Sequence, residues 1–126
     1  MSVDDNQPAL KPLAWVGSSK ADLIRFPVSV RKEMGYALYL AQTGEKAPAA
    51  KPLRGFGGAG VLEVVENHDG NVYRAVYTVR FAEVVYVLHA FQKKSTRGNS
   101  TRQTDIELIR RRLKAAAEQH RQDFGE

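Results

Sequence analysis

The sequence predicts an α+β domain: helices at both ends and a small antiparallel β-sheet between them. Three observations carry that reading. Apolar residues recur at helical spacing in Val30, Met34, Ala37, Leu38 and Ala41, and again in Ile106, Ile109, Leu113, Ala116 and Ala117. Between them lie three runs rich in β-branched and aromatic residues, VLEVVE (61–66), VYRAVYTV (72–79) and EVVYVLHAF (83–91). The links between those runs are short, and short links join antiparallel neighbours.

Each element has its own signals. Ser18 or Ser19 caps a short first helix over Lys20 to Arg25, and Pro27 sits where the first turn of a second helix tolerates it. Gly44 stops that second helix, so the two make an N-terminal helical hairpin. Gly35 inside it costs helix stability and suits close packing. The His-Asp-Gly-Asn stretch ending at Asn71 is turn chemistry between the first two strands. Thr104 and Glu107 read as a capping box at the start of the C-terminal helix. Pro8 and Pro12 interrupt an aperiodic start, so residues 1–12 read as a flexible tail before a single domain over 13–124.

Composition bounds the chemistry. With 126 residues, 43% of them hydrophobic, the chain is long enough for one continuous core. Cysteine is absent, which excludes a disulfide scaffold, a thiol nucleophile and Cys-ligated metals. No apolar run approaches a bilayer span and no secretory signal pattern opens the chain, so a cytoplasmic protein is expected. The net charge of +5 favours an anionic partner. Residues 93–114 hold eight basic side chains against two acidic ones, more than the whole excess.

The segment from Gly55 to Gly60 matches the letters of a dinucleotide fingerprint, but a proline-rich loop precedes it and a strand follows. A phosphate site there needs a helix N-terminus, so a close-approach loop is the better reading. His68, His89 and His120 lack metal-ligand spacing, and no metal or other cofactor is expected. His89 is the candidate for proton transfer, against the plainer role of a polar residue on one sheet face. Arg74 stands out in mid-strand. Alternation puts it opposite Tyr73, Ala75 and Tyr77, so it must reach water, a carboxylate such as Glu63, or a phosphate. Lys93 and Lys94 close the third strand, where one of them can converge with Arg74. Arg110, Arg111 and Arg112 read as a solvated helix face. Tyr36 and Tyr39 lie off the apolar stripe of the second helix, either as an interface or packed near Trp15.

Read in order, FPVSVRKEMGYALYLAQTGE (26–45), KPLRGFGGAGVLEVVE (51–66), VYRAVYTV (72–79), VYVLHAFQKKS (85–95) and TDIELIRRRLK (104–114) resemble the RelE/HigB-type toxins of bacterial toxin–antitoxin pairs, most closely their phage-derived HigB-like branch. The resemblance implies the RelE/ParE fold and cleavage of mRNA, usually on the ribosome, without a metal. It also implies a small helix-turn-helix antitoxin as partner. Carried over residue by residue, Arg74 matches the strand arginine that contacts the scissile phosphate, Lys93 and Lys94 the basic pair after the third strand, and Tyr77 a base-stacking or core tyrosine. Glu63 takes a first-strand position that is polar or basic in relatives, as base or as the group orienting Arg74. Arg54, Arg97 and Arg102 complete the expected RNA-binding set, with His89 beside the catalytic group. Val65 departs from the pattern, standing where many relatives carry a second basic residue. The competing expectation is a ParE-like inhibitor or inactive binding module that acts through protein contacts.

Overall fold

The computed structural model describes residues 9–58, 60–94 and 102–125, without the side chain of Lys94. In chain order its elements are β1 (Leu13–Trp15), α1 (Ser19–Leu23), α2 (Val28–Gln42), β2 (Ala50–Pro52), β3 (Val61–His68), β4 (Asn71–Thr78), β5 (Val85–Lys94) and α3 (Gln103–Phe124). The strands form one sheet in the order β1-β5-β4-β3-β2. The α+β class, the helical hairpin, the antiparallel β3–β4–β5 meander and the C-terminal helix all stand as the sequence predicts. The short edge strands are additions, and β1 runs parallel to β5.

Local chemistry explains the boundaries. Asp69 and Gly70 both take positive φ, 51° and 81°, which is the tight turn whose twist matches a hairpin. Gly44 (φ 90°) ends α2: its N–H reaches the Ala41 carbonyl while Glu45 N–H reaches Leu40, so two orphan carbonyls are satisfied. The capping box on α3 does not form. Arg102 is the cap residue and no side chain bonds the first-turn amides; Asp105 is drawn to the sheet instead. Ser18 likewise turns its hydroxyl to Asp22 rather than to a backbone amide.

The sheet buries both faces. Against α1 and α2 it turns Leu62, Val64, Tyr73, Ala75, Tyr77, Val85, Val87 and Ala90. Against α3 and the loop before β3 it turns Val61, Val76, Tyr86 and Leu88, which pack with Leu53, Phe56, Ile109 and Ala116. A β-bulge in β5 sets this phase. Tyr77 pairs with Val87 and Val76 with His89, so Leu88 is the extra residue, and Leu88 and His89 both reach toward α3. Ala117, expected on the apolar face of α3, is exposed; His120 takes its place in the buried stripe.

Of the expected tail, residues 1–8 lie outside the described residues. Lys11 and Pro12 are tied in: Lys11 N–H donates to Gln42 and the Pro12 carbonyl accepts from Val85. No described helix is long and apolar enough to cross a membrane.

Candidate active site

Strand parity assembles the candidate site on the α3 side of the sheet. Arg74 pairs across β3–β4 with Val65 and across β4–β5 with Phe91, so Glu63 and Lys93 are its diagonal neighbours on the same face. Arg74 Nη1 lies 3.1 Å from Glu63 Oε2, and the two side chains are 3% and 13% exposed. Of the outcomes open to Arg74, the carboxylate is the one realised. A charge-assisted bond in this shielded position holds the guanidinium in a fixed direction. Lys93 is half-buried two residues from Phe91.

His89 lies on this face, but both its ring nitrogens are engaged. Nε2 is 2.9 Å from Asp105 Oδ1 and Nδ1 is 3.5 Å from Arg112 Nη1. The partners assign the tautomer: Nε2–H donates to the carboxylate and Nδ1 faces the guanidinium donor. The ring also stacks on Phe91, with centroids 4.5 Å apart. In this state His89 ties β5 to α3. Among the described residues no group of three His, Asp or Glu side chains is disposed to hold a metal ion.

The other expected residues divide. Tyr77 is wholly buried on the α2 face, opposite Arg74, where no base can stack on it; it is the core residue of the two readings. Burial pushes its phenol up to about 12. Arg54 is exposed in the loop after β2, and Arg102 is exposed at the start of α3, its Nε 3.7 Å from Asp105 Oδ2. Lys94 ends β5 opposite Asn71, and its side chain, like the whole of Arg97, lies outside the described residues.

Arg110 and Arg111 are exposed, as a solvated helix face expects, and Arg112 departs from it by being half-buried. Arg110 stacks 4.7 Å over the Phe56 ring and donates to the Gly55 carbonyl; Arg112 donates to the Leu88 carbonyl and to Ser18 Oγ. Only Arg111 of the three is left without such a role among the described contacts. The glycine loop runs between β2 and β3, so a short strand precedes it where a proline-rich loop was expected. Arg80 bonds the Phe56 carbonyl, and no helix follows to receive a phosphate. At the far end of α3, His120 bridges Glu83 (2.8 Å) and the Tyr86 hydroxyl (3.0 Å) between the rings of Phe81 and Phe124. Asp105, Arg112 and His120 act across long sequence separations, and no local pattern announces them.

This architecture is that of the RelE toxins. The chain superposes on "E. coli toxin RelE", an arginine-to-alanine double mutant in the free state, with a TM-score of 0.54 at 17% identity, over 84% of this chain and 97% of that one. A second similar structure is the toxin–antitoxin complex RelBE2 from Mycobacterium tuberculosis, with a TM-score of 0.45 at 18% identity, over 72% of this chain and 100% of that one. The chain itself belongs to the phage-derived Gp49-like protein family, whose model matches residues 21–114. No curated protein matches it.

Proposed function

We propose that this chain is the toxin of a toxin–antitoxin pair, and that it cuts mRNA by metal-independent attack of a ribose 2′-OH on the adjacent phosphate. The observation that carries the reading is the Arg74–Glu63 pair at the centre of the sheet, with Lys93 on the same face. The fold shared with a RelE toxin and the membership of a phage-derived family support it. The chemistry follows from the charges. An incoming phosphate competes for Arg74 and releases Glu63, whose carboxylate takes the 2′-OH proton. The 2′-oxygen bonds to phosphorus, Arg74 and Lys93 stabilise the charge on the phosphorane, and the bond to the 5′-oxygen breaks. The reading gives the proton for that leaving oxygen to Lys93. The substrate is mRNA on the ribosome, and the partner that silences the toxin is a helix-turn-helix antitoxin.

One observation favours the second reading, a binding module without nuclease activity: Arg74 is only 3% exposed with Glu63 already on it. Inducible expression followed by mapping of new mRNA 5′ ends separates the two. The nuclease reading expects new ends with the wild type and none with Arg74→Ala. Growth arrest without new ends supports the binding module.

A further inference from the structure

β3 outruns its edge partner, and the backbone left uncovered lies beside the Arg74–Glu63 pair of the proposed chemistry. β2 pairs only with Leu62–Val64, whereas β3 continues to His68. The cause is local: Ala50 N–H bonds back to the Ala47 carbonyl in a turn containing Pro48, so the incoming chain bends away before it can cover the rest of β3. Hydrogen-bond parity settles which groups are left. Leu53 N–H bonds the Val61 carbonyl on the outer side and Val79 N–H bonds the Gly60 carbonyl on the inner side. Alternate residues therefore face outward: Val61, Glu63, Val65 and Asn67. The first two lie beside β2 and the loop after it; Val65 and Asn67 have no strand beside them among the described residues.

The flanks of this edge are acidic in a chain of net charge +5. Glu66 on β3 and Glu33 on α2 face each other, and no described ion pair reaches either carboxylate. Burial, and then the Glu33 charge, hold the Glu66 carboxyl above the ordinary glutamate range. Exposed apolar surface adjoins them: Val65 is 37% exposed and Tyr36, one helical turn beyond Glu33, is 57% exposed. A second copy of this chain is a poor occupant, because edge-to-edge pairing across a twofold brings both Glu33–Glu66 pairs together.

We infer that the β3 edge at Val65 and Asn67 accepts an extended segment of a second polypeptide, with a lysine or arginine directed at Glu33 and Glu66. Main-chain bonds to Val65 and Asn67 add a strand in line with β2, and alternate side chains fall on the two faces. The basic residue sits on the α2 side, between the carboxylates. Its neighbours in the added strand lie on the other side, beside Val65, next to Arg74. The inference goes beyond the nuclease reading and does not depend on it.

The test titrates the full chain with an acetylated eight-residue peptide alternating lysine with valine, and with its glutamate counterpart, following amide exchange residue by residue. The inference expects slowed exchange at Val65 and Asn67 with the lysine peptide, and affinity at least about tenfold above the glutamate peptide. Glu33→Gln with Glu66→Gln removes that preference. Asn67→Pro, which deletes an outward N–H while sparing the β4 ladder, weakens binding about tenfold or more. Should Asn67→Pro fail to fold, a peptide N-methylated at alternate amides tests the same bonds on the wild type. Equal binding of both peptides, no binding, or unprotected Val65 and Asn67 amides overturns the inference. So does protection of those amides by a single-stranded RNA oligonucleotide and not by the lysine peptide.

Discussion

Tyr77 carries a buried hydroxyl with no hydrogen-bond partner among the described residues, in the α2-side core. An unsatisfied buried hydroxyl costs about 1–3 kcal/mol, so Tyr77→Phe should be neutral or stabilising by about 1 kcal/mol in denaturant titration. The phenol adds a pH signature. Its folded value is raised to about 12, so the unfolded chain loses this proton first and stability falls as pH rises above the ordinary tyrosine value near 10. Tyr77→Phe should flatten that alkaline decline; an unchanged slope would contradict the assignment. Glu66 works the same way at lower pH. Its raised carboxyl prefers the protonated form in the folded state, so its contribution diminishes as pH rises through the carboxylate range. Glu66→Gln should therefore stabilise at neutral pH and lose that advantage below about pH 4. At this scale the sequence was legible where strand parity decides: Arg74 opposite Tyr77, with Glu63 in reach, follows from alternation alone. His89 was not legible to the same depth, because its partners Asp105 and Arg112 come from a helix whose register on the sheet no local pattern encodes.

Among the elements, α3 is held by few apolar contacts and several polar ones. Ile109 and Ala116 are its buried apolar residues, while Arg110, Arg112, Asp105 and His120 tether its length to the sheet and loops. Ile109→Ala should cost about 2–5 kcal/mol, since it empties a fully buried site. Arg112→Ala should cost about 1–3 kcal/mol by leaving the Leu88 carbonyl without that donor, measured as a lower denaturation midpoint at unchanged slope. If Arg112 were a solvated surface residue, as its run of three arginines suggests, the change would stay within about 0.5 kcal/mol. The major elements were legible because each carries a period and a stop signal, Gly44 and the Asp69-Gly70 turn above all. β1 and β2 were not: three residues are too few to show alternation, and both strands exist only because β5 and β3 offer unpaired edges. The capping box failed because α3 begins earlier than its letters suggest: Arg102 takes the cap position and Thr104 already lies within the first turn.

For the molecule as a whole, fold and family are established by shape and sequence, whereas the proposed activity is argued from one face of the sheet. The glycine loop illustrates how tertiary context overrides a motif. Its letters match a phosphate cradle, yet Arg80 and Arg110 pin its carbonyls between two strands. The excess of positive charge lies in residues 93–114 of the sequence, and binding to RNA or ribosomes should weaken roughly tenfold or more between about 50 and 200 mM salt if several phosphates are neutralised. A salt-insensitive affinity would point to a neutral protein interface. The most direct measurement is the chemistry of RNA ends released by the purified protein on programmed ribosomes, in the presence of a chelator. Attack by the 2′-OH, with Arg74 on the phosphate and Glu63 as base, predicts a 2′,3′-cyclic phosphate upstream and a 5′-hydroxyl downstream, both abolished by Arg74→Ala. A 5′-phosphate on the downstream fragment, or cleavage undiminished in a folded Arg74→Ala variant, would contradict it.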